Sequence, residues 1–361
     1  MNVHGTPYRS LWLDDDGRSV AIIDQTELPH AFVVRSLQRV EDAAEAIRNM
    51  RVRGAPLIGA TAAYGLALAM HEDADDGALA QFCRMLEATR PTAVNLRWAL
   101  EQVRVEVCDL LPWARAEAAL NKAAELRAQD VANCARIGEH GLGVLKSLKQ
   151  ANEPLNIMTH CNAGWLATIQ WGTALAPVYK AYAAGIEVHV WVSETRPRNQ
   201  GMNLSAWELQ RAGVPCTVVA DNSCGQLMRE GLVDCVIVGS DRTAANGDVC
   251  NKIGTYLKAL AAHDNHVPFY VALPESTVDW DCPEGAQIPI EERDAQEVLS
   301  IAGVDAAGQG LEVNLAARGT QAANPAFDVT PARLVSGLVT EYGVFTASSA
   351  GLGEMKALLP E

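Results

Sequence analysis

The sequence predicts an α/β protein in which a mainly helical N-terminal domain precedes a domain built on a doubly wound parallel sheet. The length of 361 residues is sufficient for roughly two domains. Residues 42–149 are rich in Ala, Leu, Glu and Arg, a composition that favours helices. After residue 154, short β-branched runs alternate with helical stretches, which is the pattern of βαβ units. We therefore expect one domain at residues 1–130 and a second at residues 131–361.

The N-terminal part begins with a predicted β-hairpin at residues 9–13 and 19–24, joined by the turn residues 14–17. Helices are then expected from residue 42 to about residue 149. Proline, glycine or aspartate interrupts the helical pattern at residues 53–56, 75–77, 90–92 and 112, so the helices should break there.

The C-terminal part carries five short apolar runs that we interpret as buried strands. These strands are predicted at residues 155–160, 186–193, 216–220, 235–239 and 269–273. Helices are predicted between them at residues 164–175, 205–212, 225–230 and 251–262.

The overall charge is acidic, because 29 Lys and Arg stand against 44 Asp and Glu and give a net charge of −15. Such a surface repels phosphate backbones and anionic lipids, so we expect neither nucleic acid nor a membrane as a partner. The uncharged run at residues 54–70 is short for a membrane span and is interrupted by Gly, Pro and Thr, so it should be buried core. A small anionic substrate would need a local cationic pocket.

The nine cysteines indicate a reducing compartment. Their number is odd and no two are spaced as CxxC, which argues against a disulfide framework and against a zinc ribbon. The first ten residues contain no evident secretory signal, so a cytoplasmic location is expected. His263 and His266 have no partner at metal-ligand spacing, and no metal site is predicted there.

Chemically active side chains follow four of the predicted strands. The carboxyl ends of parallel strands meet at one edge of a sheet, and open α/β folds bind ligands there. We therefore predict an active site at this edge, with one cysteine, several carboxylates and two arginines. The four loops begin at Cys161, Glu194, Asp221 and Ser240, and the arginines are Arg196 and Arg242.

Cys161 is the candidate nucleophile or base of this site. It lies just before the helix predicted at residues 164–175, and the positive end of a helix favours a thiolate. The alternative is a buried structural cysteine. His160 precedes it, but adjacent residues of a strand point to opposite faces, so His160 should be a packed histidine rather than the base of Cys161.

Further candidates are one carboxylate and two groups that suit an anion. Asp241 follows a strand, although an N-cap or turn carboxylate would occupy the same position. Asn251 and Lys252 open the helix predicted at residues 251–262, where amides and an ammonium can bind phosphate. Arg53 and Gly54 precede another helix and suit an anion equally, although a simple loop arginine beside a glycine turn is the alternative. No P-loop occurs.

These same residues lie in motifs that span most of the chain in order, and with them the sequence resembles the methylthioribose-1-phosphate isomerase family. In the N-terminal half the matching motifs are Arg53-Gly54-Ala55-Pro56 and Arg90-Pro91-Thr92-Ala93-Val94-Asn95-Leu96. In the C-terminal half they are Thr159-His160-Cys161-Asn162, Glu194-Thr195-Arg196-Pro197 through Gln200-Gly201, Ala206-Trp207-Glu208-Leu209, Gly239-Ser240-Asp241-Arg242 with Ala245-Asn246-Gly247-Asp248, residues 251–256 and residues 324–331.

The resemblance implies an enzyme that interconverts 5-methylthioribose 1-phosphate and 5-methylthioribulose 1-phosphate in methionine salvage, without a metal or a nucleotide cofactor. It implies a homodimer whose subunits have a helical N-terminal domain and a Rossmann-like C-terminal domain. The catalytic cysteine of the family corresponds to Cys161, and its proton-donating aspartate corresponds to Asp241. The substrate-binding residues correspond to Arg53, Gly54, Ala55, Arg90, Gln200, Asn251 and Lys252.

The chain departs from the family pattern beside these residues. Ser193 stands where members often have Asp, Arg198 and Asn199 replace an apolar pair, and Ser240 stands where Ala is usual. Related enzymes act on 5-deoxyribose 1-phosphate or ribose 1,5-bisphosphate, which are therefore alternative substrates. The same fold also forms regulatory subunits of a translation-initiation exchange factor, so a non-catalytic subunit is the alternative from another class of protein.

The isomerisation needs an acid, a base and an anion clamp, because a phosphate at C1 locks the sugar ring as an acetal. Our hypothesis is that Asp241 protonates the ring oxygen and that Cys161, as a thiolate, takes the proton from C2. A hydride shift, with the two side chains polarising the oxygens, is the alternative. Arg53, Asn251 and Lys252, together with the amides of Gly54 and Ala55, would hold the phosphate.

Overall fold

Eleven α-helices and eighteen β-strands occur in residues 1–149 and 153–359, which this computed structural model describes. The N-terminal strands are β1 (Asn2–Val3), β2 (Thr6–Pro7), β3 (Leu11–Leu13), β4 (Val20–Ile23) and β5 (Val34–Leu37). The helices that follow are α1 (Val40–Arg48), α2 (Ala55–Glu72), α3 (Asp76–Glu87), α4 (Val94–Val107) and α5 (Pro112–Leu148).

The N-terminal elements confirm the hairpin and the helix breaks. Strands β3 and β4 pair antiparallel, with Leu13 opposite Val20, and β5 adds a third strand that the sequence did not predict. Helix α2 corresponds to the uncharged run and is buried on nearly all sides, as expected of a core helix that α1, α4 and α5 surround. No helix among the described residues is both long enough and apolar enough to cross a membrane.

Helix α5 connects the two halves of the chain. Its 37 residues run through position 130, and it packs against α2 and α4 as well as against the first helix of the C-terminal half. The division into domains at 1–130 and 131–361 stays a prediction.

The C-terminal half contains the remaining elements. Its strands are β6 (Leu155–Thr159), β7 (Val188–Ser193), β8 (Cys216–Val219), β9 (Cys235–Val238), β10 (Arg242–Ala244), β11 (Val249–Lys252), β12 (Phe269–Ala272), β13 (Val278–Asp279), β14 (Ser300–Val304), β15 (Gly310–Asn314), β16 (Phe327–Thr330), β17 (Gly337–Thr340) and β18 (Gly343–Phe345). Its helices are α6 (Ala176–Ala183), α7 (Ala206–Arg211), α8 (Cys224–Arg229), α9 (Thr255–Asp264), α10 (Gln296–Leu299) and α11 (Ser349–Lys356).

The main sheet has the order β18-β17-β12-β9-β6-β7-β8, and only the β17–β18 pair is antiparallel. The chain proceeds from β6 outward through β7 to β8, and then returns to β9 on the other side of β6. This reversal makes the sheet doubly wound and confirms the predicted fold class. Ligands bind in such folds beyond the carboxyl ends of the two strands that flank the reversal. Here those strands are β6 and β9.

Two of the predicted helices differ from the structure. The helix expected at 164–175 is absent: a short 3₁₀ turn at Trp165–Ala167 and a loop precede α6. The loop closes on itself because the amides of Thr173 and Leu175 both donate to the carbonyl of Ala163.

The helix expected at 251–262 begins instead at Thr255. Asn251 and Lys252 therefore do not open it. They belong to β11, which pairs antiparallel with β16 in a second sheet of order β13-β10-β11-β16.

Asp130, on α5, is a buried carboxyl that should make the stability of the fold depend on pH. It accepts a hydrogen bond from the amide of Ile169 at 2.7 Å, and burial raises the pKa of Asp130 from 3.8 to about 7. The folded chain therefore keeps a proton that the unfolded chain has released. The free energy of unfolding should fall by up to about 1.4 kcal/mol per pH unit between roughly pH 4 and pH 7 because of this group.

We expect Asp130→Asn to remove this part of the pH dependence, since the amide oxygen still accepts from Ile169 and the side chain no longer titrates. Urea unfolding of both proteins at the two ends of this pH range measures the difference. Equal pH dependence in the two proteins would show that Asp130 does not keep its proton.

Candidate active site

One cavity, which is open to solvent, lies at the carboxyl ends of β6 and β9. The lining of this cavity includes all nine residues that the family resemblance implies for catalysis and substrate binding. These are Arg53, Gly54, Ala55, Arg90, Cys161, Gln200, Asp241, Asn251 and Lys252. Their individual roles stay predictions.

Cys161 is held directly after β6 in a conformation that side-chain-bearing residues seldom adopt. Its φ is +62°, its amide donates to Thr195 Oγ1 at 2.8 Å, and its thiol donates to Gln200 Oε1 at 3.4 Å. Thr195, which is β-branched, has a φ of +67°. Two unfavourable backbone conformations in contact indicate a loop that its surroundings constrain, as is common at functional sites.

The expectation that the positive end of a helix favours a Cys161 thiolate is wrong, because a 3₁₀ turn and a loop, not an α-helix, directly follow this residue. Burial instead raises the pKa of the Cys161 thiol, while Arg53 and Lys252 lower it without cancelling that effect. In its free state the cavity therefore favours the thiol.

His160 is a packed histidine, as expected. Its Nε2 lies 2.8 Å from the carbonyl oxygen of Ile253, which can only accept, so Nε2 carries the hydrogen. Burial lowers the pKa of His160 to about 3, and the ring is neutral.

Asp241 follows β9 and faces the same cavity. Its amide donates to the carbonyl of Cys250 at 3.0 Å, whereas its carboxylate forms no hydrogen bond with any of the described residues. Burial raises the pKa of Asp241, opposed by Lys252 and Arg53. A carboxyl with a raised pKa and no protein partner is suited to exchange a proton with a ligand.

Two buried cations face the cavity without a carboxylate partner. Arg53 is 7% exposed, and among the described residues it donates only to the side-chain and backbone oxygens of Asn162. Lys252 is 8% exposed, and its ammonium lies 4.7 Å from the Phe327 ring centroid. Neither forms an ion pair with a described residue. Arg90 differs, because it pairs with Glu291 at 3.2 Å. Buried charges are normally paired, so the cavity is electrostatically ready for an anion.

Gly54 and Ala55 bring the start of α2 to the cavity. Gly54 has a φ of +92°, and a Cβ at this position would lie 2.5 Å from the carbonyl oxygen of Ala167. Only glycine therefore allows this close approach. The first amides of the 18-residue helix α2 add their partial positive charge to the cationic side of the cavity.

The two arginines expected at the sheet edge are not part of the site. Arg196 donates to the carbonyls of Val298 and Ser300, and Arg242 pairs with Asp279 at 3.0 Å. Neither lines the cavity. That part of the prediction is wrong, because both guanidiniums anchor distant segments of the chain.

Two carboxylates outside the cavity lining hold its loops: the buried Glu208, which was not among the predicted site residues, and the partly exposed Asp221, which was predicted at the sheet edge. Glu208, on α7, accepts from the amides of Trp165 and Leu166, and Asp221 accepts from the amides of Thr195 and Arg196. The motif at residues 206–209 was the available signal for Glu208. Among the residues described, no three His, Cys, Asp or Glu side chains lie close enough together to hold a metal ion.

Comparison with known proteins places the chain in a family. The chain matches the initiation factor 2 subunit family over residues 51–347. It is 59% identical to methylthioribose-1-phosphate isomerase of Rhodospirillum rubrum, with 100% of this chain and 94% of the relative covered. The isomerase of Paramagnetospirillum magneticum is 57% identical over 100% of this chain and 99% of the relative. The chain belongs to the methylthioribose-1-phosphate isomerase family.

Solved structures with this fold include both isomerases and proteins named as translation initiation factors. The 5-methylthioribose 1-phosphate isomerase of Pyrococcus horikoshii superposes with a TM-score of 0.83 at 37% identity, covering 98% of this chain and 97% of that one. The translation initiation factor eIF-2B subunit delta of A. fulgidus gives 0.77 at 38% identity, covering 94% and 96%. Structural likeness alone therefore does not separate the two classes.

Proposed function

We propose that the chain is an aldose–ketose isomerase that converts 5-methylthioribose 1-phosphate to 5-methylthioribulose 1-phosphate in methionine salvage. The observation that carries this proposal is the pair of buried, unpaired cations, Arg53 and Lys252, in the cavity that also contains Cys161 and Asp241. A regulatory subunit has no need of two buried charges around a thiol and a carboxyl. Full-length identity to isomerases supports the same conclusion.

The phosphate of the substrate would be held on the cationic side of the cavity. Arg53, Lys252 and the first amides of α2 would bind it, and Arg90 would contribute less because Glu291 already neutralises it. Gln200 and Asn251 would bind the sugar through their amide groups. An anion bound there offsets the two charges that lower the pKa of Asp241, so substrate binding favours the protonated carboxyl.

The protonated Asp241 would then donate to the ring oxygen and open the ring. Cys161, as a thiolate, would take the proton from C2 and return it to C1, while the proton of the C2 hydroxyl passes to the Asp241 carboxylate. These transfers give the ketose and restore both the thiolate and the carboxylic acid. In the alternative route, the hydrogen of C2 moves to C1 as a hydride while the two side chains polarise the oxygens. Both routes conserve atoms and charge, and both need the ring to be opened by an acid.

An outer chamber bears on the substituent at C5. It adjoins the catalytic cavity at Met50, Arg53 and Gln200. Its apolar lining includes Leu28, Leu204 and Ile301, its carboxylates are Glu297 and Glu312, and its Arg198 is paired with Glu297 at 2.8 Å. Arg198 is already neutralised by Glu297, and Glu312 adds a negative charge, so the chamber offers little attraction to a second phosphate. The chamber therefore supports an apolar 5-substituent over ribose 1,5-bisphosphate.

A turnover panel tests this assignment. We expect kcat/KM to be highest for 5-methylthioribose 1-phosphate, lower for 5-deoxyribose 1-phosphate, and lowest for ribose 1,5-bisphosphate. The loss of the apolar methylthio group should cost about 10-fold to 100-fold. Preferred turnover of the bisphosphate would contradict the substrate assignment, and no turnover of any sugar 1-phosphate would contradict the enzymatic function.

The homodimer and the cytoplasmic location are further proposals, as is the absence of nucleic acid among the partners. They rest on the family resemblance and on the acidic charge balance of the sequence.

A further inference from the structure

Glu208 is a buried carboxylate that receives hydrogen bonds from four groups, although the proposed chemistry does not use it. Its side chain is fully buried. Oε2 accepts from the amide of Trp165 at 2.8 Å and from the hydroxyl of Tyr179 at 2.9 Å. Oε1 accepts from the amide of Leu166 at 3.0 Å and from Nδ2 of Asn162 at 2.8 Å. Charge-assisted bonds of this kind are among the stronger ones in proteins.

The bond from Asn162 fixes which way its amide group faces. Because the carboxylate of Glu208 can only accept, Nδ2 of Asn162 must face it, and Oδ1 must face the other way. Oδ1 accepts from the guanidinium of Arg53, and the backbone oxygen of Asn162 accepts a second bond from Arg53 at 2.6 Å. One carboxylate therefore sets the orientation of the one described residue to which Arg53 donates.

The backbone at Gly164 leaves room for the carboxylate of Glu208. A Cβ at Gly164 would lie 2.0 Å from Oε2 of Glu208, so only glycine admits the carboxylate beneath the loop. Ser205 completes the support: Nδ2 of Asn162 donates to its hydroxyl at 3.1 Å, and that hydroxyl donates to the carbonyl of Cys161 at 2.7 Å. Arg53 and Cys161 thus share one underlying network.

We propose that Glu208 is a positioning residue for substrate binding, which acts through Asn162 to hold the guanidinium of Arg53 in the geometry that receives the phosphate. This inference rests on the proposed function, in which Arg53 binds the phosphate. A guanidinium held in place binds an anion without the loss of side-chain freedom that a mobile one incurs. Glu208 itself does not touch the substrate.

The test compares Glu208→Gln and Asn162→Ala with the double variant. In Glu208→Gln, an amide NH₂ replaces one of the two acceptor oxygens. In either orientation of the amide, this NH₂ meets two hydrogen-bond donors and loses both bonds: those from Asn162 and Leu166, or those from Trp165 and Tyr179. We expect KM to rise by about 10-fold to 100-fold, the range for a lost bond to a charged group, with kcat within about threefold of the parent. The inhibition constant of inorganic phosphate should rise by the same factor.

Coupling separates positioning from a general loss of structure. If Glu208 acts through Asn162, the double variant should have the KM of Asn162→Ala alone rather than the product of the two effects. Glu341→Gln is the matched control, because Glu341 is also buried and accepts from the amide of Glu275, but does not line the catalytic cavity. It should lower the melting temperature without changing KM.

The outcomes are distinguishable from a failure of the proposed function. Arg53→Ala must itself raise KM and the phosphate inhibition constant; if it does not, the phosphate assignment is wrong. If Arg53→Ala has this effect while Glu208→Gln leaves both constants unchanged, or while the two effects multiply in the double variant, the positioning role is wrong. Should Glu208→Gln fail to fold, Glu208→Asp, which keeps the charge but is one methylene too short to reach Asn162, replaces it with the same expected result.

Discussion

Asp241→Asn should lower kcat by about 10²-fold to 10⁴-fold, the range for loss of a general acid. Asparagine has the shape of aspartic acid but cannot give up a proton to the ring oxygen. The carboxylate of Asp241 forms no hydrogen bond with any described residue, so the substitution breaks no bond of the fold. We therefore expect a melting temperature close to that of the parent. Steady-state kinetics with thermal unfolding measures both.

The active form of Asp241 is the protonated one, so kcat should fall as the pH rises through its raised pKa. Asp248→Asn is a matched control with the opposite pattern. The carboxylate of Asp248 accepts from the amides of Gly285 and Ala332, and these bonds lower its pKa. It should lose stability and keep its kcat. Turnover of Asp241→Asn within a few-fold of the parent would refute the acid role.

The location of this site could be predicted because its signals are local. Each strand of the main sheet is a short apolar run, and each polar loop directly follows its strand in the sequence. Parallel pairing then gathers the loops at one edge. The sequence could not show that Cys161 and Asp241 flank the reversal of the sheet, because that depends on the order β9-β6-β7, which only tertiary pairing decides.

The error at Asn251 and Lys252 has a non-local cause. Gly254 is the one helix-breaking residue between their segment and α9, and no proline intervenes, so a local pattern still favours a single helix. Strand β16, more than 70 positions later in the chain, pairs with this segment and holds it extended. Asp328 of that strand also accepts from the amides of Gly254 and Tyr256, at 2.7 Å and 3.1 Å, and so sets where the helix begins.

Glu208 escaped prediction for a related reason. In the sequence it is one charged residue within a short helix, and such a residue usually faces solvent. Its role depends on donors from residues 162–166 and from Tyr179, which meet it only in the folded chain. A buried charge that the fold satisfies completely leaves no periodic signal in the sequence.

Cys161→Ser should also lower kcat by about 10²-fold to 10⁴-fold with little change in stability. Serine is close in size and can still donate to Gln200, but its hydroxyl ionises far less readily than a thiol. Cys235→Ser is the matched control, because Cys235 is fully buried on β9 and does not line the cavity. It should lower the melting temperature and leave kcat unchanged. Near-normal turnover of Cys161→Ser would remove Cys161 from the chemistry.

Cys161 can act as a base only as a thiolate, and the cavity favours the thiol. Burial raises the pKa of the thiol, and a bound phosphate offsets Arg53 and Lys252, the two charges that lower it. The proton route therefore depends on a thiolate that is the minor form of Cys161 but strongly basic. A hydride shift needs no thiolate. Repeated interconversion of substrate and product in D₂O distinguishes the routes, because many turnovers accumulate even slow exchange of a shielded proton. Deuterium at C1 supports proton transfer through Cys161, and its complete absence assigns the step to a hydride shift with Cys161 as a polarising group.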